Sequence, residues 1–460
     1  MQPLVSLGSY ADLYTSLSQM GRINYSYDSR YLFTFTVRRD GSSVFGVNNK
    51  YGVFPSVALG WNMSREKFME PMVNVLNNLK IRLSYGKSGN EAIGVYQSLT
   101  KMSTSALAMG KASHTTLTTQ SSMGNNDLSW ETTTGFNGGI DFGFLNNRVN
   151  GTIDFYKTNT SDLLLRRSLP QITGYQNVWA NMGKTSNTGV EVTVNSKNIV
   201  TKDFTWSMGI VFSWNKNKII NLYGDGKDDI GNRWFIGYPI GVIYDYTMVG
   251  IWQEDEIAAG EHLNWDPVAQ AGDVKLADIS GPEGKPDGKI DDNDRSILGQ
   301  TSPKWIGGLT NTFSYKDFSL SIFINTVQDS MRNNTSIGTA SDEMGRRNGP
   351  AEIGFWTPEN KSNTWRSLSN TSNRHGYGFP CDASYTRIKD ITLSYNLPSV
   401  VIKNIGINGI QLYLSGRNLY TFTDWIGWDP EARYDPRGSG NWGTNYPVVR
   451  SYILGVNVTF

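Results

Sequence analysis

The stretch with the strongest claim to chemistry is ADISGPEGKPDGKIDDNDR, residues 277–295. Hard cations take oxygen ligands, and a twelve-residue calcium loop needs them at positions 1, 3, 5, 9 and 12, with glycine at 6. With Gly288 at position 6, Asp287, Asp291 and Asp294 fall at 5, 9 and 12. Position 1 is then Glu283, and position 3 is Lys285, which cannot ligate. The insertion GPEGKP interrupts the first half of the loop, leaving Asp278 as an upstream substitute. The expectation is Ca2+ held by Asp287, Asp291 and Asp294, weighed against a solvated acidic turn. The same glycine-rich stretch is no phosphate-binding loop, because no Gly-Lys-Ser/Thr follows at the required spacing.

Catalytic signatures are weak. His114, His262 and His375 are scattered, with no His-Glu-x-x-His spacing, and there is no Gly-x-Ser-x-Gly elbow. Carboxylates are plentiful, but nothing positions a pair, and Asp154 and Glu191 read as polar lining. The expectation is that the chain is not an enzyme. Its ligand contacts are sought among aromatic residues of long connections: Trp234, Phe235, Tyr238, Trp252, Trp425, Trp428, Trp442 and Tyr446. A ring offers a flat apolar face to a sugar or a partner surface, although the same rings also pack loops together. Arg417, Arg433, Arg437 and Arg450 suit anionic ligands or nearby carboxylates.

Composition limits the classes. The 460 residues carry a net charge of +1, so no nucleic acid or other polyanion is implied as a partner. The single cysteine, Cys381, leaves no internal disulfide. Mean hydropathy is −0.39, yet 12% of residues are aromatic. No apolar run approaches the ~18 residues of a membrane helix, and the N-terminus lacks the pattern of a signal peptide. These tests are blind to a β-barrel.

The elements that must position these residues alternate with period 2. In FTWSMGIVFSW, residues 204–214, Phe204, Trp206, Met208, Ile210, Phe212 and Trp214 share one face, and Thr205, Ser207, Gly209, Val211 and Ser213 share the other. The same alternation places Tyr31, Phe33, Phe35 and Val37 opposite Thr34, Thr36 and Arg38. Leu79, Ile81, Leu83 and Tyr85 likewise oppose Lys80, Arg82 and Ser84. About fourteen such strands are expected, with short helical turns only in Ser64–Asn78 and Pro398–Asn404. Several run to about ten residues, longer than the ~5–6 typical of a sandwich and long enough to span a bilayer at a tilt. Aromatic residues sit at strand ends, as in an interfacial girdle. Connections alternate between short, as at Lys316-Asp317, and long, as over 253–304 and 327–383. The expected fold is an all-β transmembrane antiparallel barrel with short periplasmic turns and long extracellular loops. Its apolar faces meet membrane lipid. The competing expectation is a soluble or surface-attached β-sandwich protein that binds carbohydrate.

Five stretches then resemble one family. GRINYSYDSRYLFTFTVRRDGSSVFG at 21–46, YGVFPSVALGW at 51–61, LKIRLSYGKSGN at 79–90, NMGKTSNTGVEVTVN at 181–195 and GWDPEARYDP at 427–436 are similar to the SusC/RagA TonB-dependent transporters. The resemblance implies a 22-stranded outer-membrane barrel of a Gram-negative bacterium, importing oligosaccharides or peptides beneath a SusD-like lipoprotein lid. A calcium-loop-like acidic segment at 277–295 is also common in such proteins. Family members are about twice as long, so residues 1–460 are expected to be the C-terminal portion of the barrel. About fourteen of the strands are then present, without the signal peptide, the plug or the segment that meets the TonB complex. Such a chain alone is expected not to perform energy-coupled uptake.

Overall fold

The computed structural model describes residues 11–109, 112–281, 283–334, 353–369, 372–398, 406–427, 429–431 and 448–460. Thirteen long strands follow one another in a single sheet order. They are β1 (Ser16–Tyr27), β2 (Tyr31–Ser42), β3 (Tyr51–Asn62), β4 (Leu76–Asn90), β5 (Glu131–Phe144), β6 (Val149–Ser161), β7 (Lys184–Val200), β8 (Phe204–Asn221), β9 (Trp305–Tyr315), β10 (Phe318–Gln328), β11 (Tyr385–Asn396), β12 (Gly409–Thr423) and β13 (Ser451–Thr459). Their lengths run from 9 to 18 residues, which a sandwich of short strands does not provide. The sandwich expectation is therefore set aside. The expected turn in Ser64–Asn78 appears as two 3₁₀ segments, Met63–Arg65 and Lys67–Met72. The other, Pro398–Asn404, lies almost wholly outside the described residues.

The chain divides into two compact units, Met1–Val194 with Asn215–Ile240, and Asn195–Trp214 with Gly241–Phe460. In the first, β1 to β6 pair antiparallel in sequence order. Register carries the alternation from strand to strand: Ile81 faces Ile140, which faces Ile153, while Arg82 faces Gly139, which faces Asp154. One side of the sheet is thus apolar and open, with Tyr25 59%, Tyr85 52% and Leu59 51% exposed. On the other side Arg82 bridges Asp141 at 2.8 Å and Asp154 at 2.9 Å. Gly139 makes room for that cluster, because a Cβ there would collide with Asp154 and the Arg82 guanidinium.

In the second unit β8 to β13 pair antiparallel with matching register. Ile210 faces Leu309, which faces Ile324; Ser207 faces Thr312, which faces Ser321. Trp206 stacks on Phe313 with centroids 5.8 Å apart, and Phe212 lies 5.9 Å from Trp305.

Most connections divide by strand end, the connection 63–75 with its two 3₁₀ segments being longer than the tight turns beside it. Turns at 28–30, 145–148 and 316–317 are tight, and Asp28, Ser29, Asn146, Asn147 and Lys316 adopt the left-handed backbone of short hairpin turns. The opposite strand ends carry the long connections, which have folded structure of their own. In the first unit Val44, Phe45 and Leu128 form a small core against Trp130, Leu164 and Trp179. In the second, Tyr246, Ile251, Val274, Leu276, Trp356 and Phe379 form a larger one.

Candidate functional site: the long connections

The long connections of the second unit are built from three short ribbons. Val242–Tyr246 pairs with Arg295–Gln300, Met248–Ile251 with Val274–Leu276, and Met331–Asn333 with Pro380–Asp382. Their apolar residues bury the core just described. Trp252 is fully buried: Lys275 Nζ sits 4.3 Å from its ring centroid and Trp265 5.5 Å away. This sequence-predicted ligand contact is thereby corrected to a packing residue. Lys275, over its ring, also forms a partly exposed ion pair with Glu256, 2.7 Å long.

A second buried feature is ionic. Arg374 reaches Asp266 at 2.9 Å and also bonds Asp273, and both carboxylates are almost wholly enclosed. Burial opposes ionisation of Asp266, but His375, 3.7 Å away, and Arg374 outweigh it and hold that carboxyl below its ordinary range. For Asp273, burial outweighs the Gln270 N–H and Arg374, and the carboxyl is pushed up. One guanidinium thus ties two loop segments about a hundred residues distant in sequence.

A third feature joins the last connection to the wall. Arg387, on the polar face of β11, is 1% exposed. It donates to Asp429 at 2.7 Å, to Glu431 at 2.6 Å and to the Thr421 hydroxyl at 2.8 Å. Lys389 Nζ adds a 3.0 Å contact to Glu431. Arg332 donates to the Pro430 carbonyl at 2.9 Å, and Asn334 to the Ile426 carbonyl at 2.6 Å. The Asp-Pro-Glu of GWDPEARYDP is therefore a clamp on β11. Lys389 stands at an irregularity in the β11–β12 ladder between Ile388 and Asp390, and such an extra residue re-aims side chains locally. Arg417 Nε lies 3.4 Å from Asp390, the second of the two roles open to it, beside an anionic ligand.

In the first unit, the connection after β8 holds Trp234 and Tyr238. The hydroxyl of Tyr223 donates to Asp229 at 2.6 Å, and Asn232 donates from its amide nitrogens at 3.0 and 2.8 Å. Burial works against the charge on Asp229, but the Tyr223 and Asn232 bonds prevail and lower its proton affinity. Burial and that same carboxylate push the Tyr223 phenol up to about 12. Trp234 is half-buried, its backbone paired with Asp229, whereas Tyr238 is 48% exposed. Because the folded-state proton affinity of Asp229 is lowered, its contribution is complete above about pH 4 and is lost as pH falls below that value. Asp229→Asn should cost about 1–3 kcal/mol of local stability, read as faster proteolysis between 222 and 238 at pH 7.

Of the other candidates, Trp425 is half-buried beside the clamp, its backbone N–H donating to the Thr423 hydroxyl at 3.1 Å. Trp428 and Trp442 lie outside the described residues, as do Arg433, Arg437 and Tyr446. The three carboxylates proposed for calcium do not share one site. Asp294 is completely buried and spends its oxygens on the N–H groups of Ile279, Ser280 and Asp291. Asp287 and Asp291 flank Lys289 at 3.6 and 3.5 Å. Asp278 accepts from the Asp287 and Gly288 amides. Among the described residues no group of three or more His, Cys, Asp or Glu is arranged to hold a metal ion. The residues do not fit Ca2+: backbone amides and one ammonium already neutralise them.

The clamp and the Arg374 pair escaped the sequence reading because their partners lie far apart in the chain. The clamp's acidic half was visible as a motif, but nothing local pointed to Arg387.

The comparisons with known proteins follow the same geometry. The family described as TonB dependent receptor-like, beta-barrel, matches residues 6–419. TonB-dependent receptor P3 of Formosa agariphila is 36% identical over all of this chain and 46% of its own length. TonB-dependent receptor SusC of Bacteroides thetaiotaomicron is 32% identical over 98% of this chain and 44% of its own. The solved structure of the RagAB peptide transporter superposes with a TM-score of 0.78 at 27% identity, covering 99% of this chain and 49% of that one. The chain spans about half the length of the curated relatives it matches. Two-faced strands, alternating short and long connections and this match together establish that the chain belongs to the TonB-dependent receptor β-barrel family, one of transporters rather than enzymes, and that it is similar to SusC and RagA.

Proposed function

We propose that these residues form wall strands and outer loops of a TonB-coupled importer in the outer membrane of a Gram-negative bacterium. It carries oligosaccharide or peptide fragments inward beneath a SusD-like surface lipoprotein. The observation that supports this reading best is the contrast between sheet faces. The open apolar face of β1 to β6 far exceeds the patches a soluble monomer exposes, and the opposite face carries Arg82 with two carboxylates. An apolar face of that size calls for lipid; an ion-paired face suits a watered interior. The long connections lie on the outer side and supply the vestibule. Engagement of the TonB complex is assigned to a plug segment.

Tyr238, in the outer loops of the first unit, and Trp425, in those of the second, each offer ring surface to a ligand or to the lid. In the full-length protein, Tyr238→Ala and Trp425→Ala should each lower uptake of the cognate oligomer by about two- to tenfold, the scale of one lost aromatic contact. Surface labelling of intact cells checks that insertion is unchanged. Normal uptake in the double variant would remove both rings from ligand or lid contact. Competition between labelled oligosaccharides and peptides identifies the cargo class.

A further inference from the structure

We infer that the outward face of β1 to β6 carries a headgroup-binding belt, in which Arg39, Lys87 and Lys157 hold the phosphate of lipids in the leaflet on the long-connection side. The inference rests on the wall reading above. Alternation and register place all three on the apolar face: Arg39 is level with Val53, Lys87 follows Tyr85 by two, and Lys157 is level with Phe136. All three are exposed, and none makes an ion pair among the described residues. Arg39 instead lies 4.2 Å over the ring of Tyr51 on the same face.

All three stand in the half of their strands nearer the long connections. Arg39 and Lys157 stand eight residues from the first residues of their strands, Tyr31 and Val149, and Lys87 stands eleven from Leu76. Eight to eleven residues of strand rise about 27–37 Å, which a tilt of ~40° reduces to about 20–28 Å. That is close to the height of the apolar band of an outer-membrane barrel, ~25 Å. The short-turn edge of the band is marked by aromatic residues, with Tyr27 stacked on Tyr31 and Phe142 near Phe144. Its other edge is marked by the three cations.

Charge selects the occupant. No aspartate or glutamate falls at an outward position of these six strands, whereas their polar face carries Asp40, Glu131, Asp141 and Asp154. Arg39, Lys87 and Lys157 stand on alternate strands, about 10 Å apart around the wall given the ~4.8 Å strand spacing. Each is long enough to bury its methylenes against the apolar face while its charge reaches the headgroup layer. An anionic phosphate at that depth completes each cation; a zwitterionic headgroup brings its own positive charge.

The test uses the full-length protein reconstituted in phosphatidylcholine vesicles containing trace spin-labelled phosphatidylglycerol or spin-labelled phosphatidylcholine. The fraction of each label immobilised at the protein surface is compared. The wild type should enrich the phosphatidylglycerol label. The triple variant Arg39→Gln, Lys87→Gln, Lys157→Gln should lose at least about fivefold of that enrichment, because each cation near an anionic surface contributes on the order of a factor of five. Lys80→Gln, on the polar face, should lose none. Equal immobilisation of both labels by the inserted wild type, or enrichment retained in the triple variant, or an equal loss in Lys80→Gln, would overturn the belt. Failure of the wild type to insert would overturn the wall reading instead, so the two failures are told apart.

Discussion

Ile210→Arg should destabilise the inserted protein by about 2–4 kcal/mol, the cost of a guanidinium on the lipid face near the midplane of a barrel. Ile210 lies on the apolar face of β8, level with Leu309 and Ile324. A charge there has no partner and no water. Ser207→Arg, three residues earlier on the same strand, should cost far less. Ser207 is level with Thr312 and Ser321, and an arginine on that side reaches an aqueous interior. Reversible unfolding in detergent or lipid gives both values by the same method. The size of the difference matters more than either number, since local backbone effects are shared. Equal costs at the two positions would contradict a membrane wall.

The second large effect is expected at the clamp. Arg387→Ala leaves Asp429 and Glu431 without their main cation while Asp429 stays enclosed. Removing one partner of a buried ion pair costs about 3–5 kcal/mol, mostly from the charge left behind. The nearby Lys389 recovers part of this through Glu431 but lacks the planar fork that serves two carboxylates at once. The strand itself is held by its ladder, so the loss should appear first as release of the segment 424–431, detected as new protease cleavage in intact cells. Arg387→Lys should fall between the two. If the segment stays protected in Arg387→Ala, the Arg332 and Asn334 bonds to its carbonyls suffice to anchor it.

The effects differ in kind because the two residues face different media. Ile210 is part of a repeating face whose environment is set by the membrane. Arg387 is part of a single cluster whose environment is made by the chain. The first depends on a pattern, and the second on one meeting of distant segments.

This difference also marks what the sequence alone determined. Side chains alternate along a strand as a matter of backbone geometry, so Phe204 to Trp214 announced both a strand and its two faces without any partner. The same held for Tyr31 to Val37 and for Leu79 to Tyr85, and the tight turns at 28–30 and 316–317 could be read from their length. The count of about fourteen strands compares with thirteen in the sheet order of the described residues. The family was also legible, because its motifs are local stretches.

Tertiary structure decided the rest. Trp252 and Tyr238 look alike as loop aromatics, yet one is enclosed by Lys275 and Trp265 and the other is open. Exposure depends on what folds over a ring, which local sequence does not record. Asp294 fits a calcium-loop position by spacing, but its oxygens are taken by the Ile279 and Ser280 amides on a neighbouring stretch of loop. Arg387 and Asp429 lie 42 residues apart and Arg374 and Asp266 lie 108 apart. A pairing of that kind has no periodicity and no fixed spacing. It is set only when the long connections fold, because a buried charge must find an opposite one wherever the chain brings it.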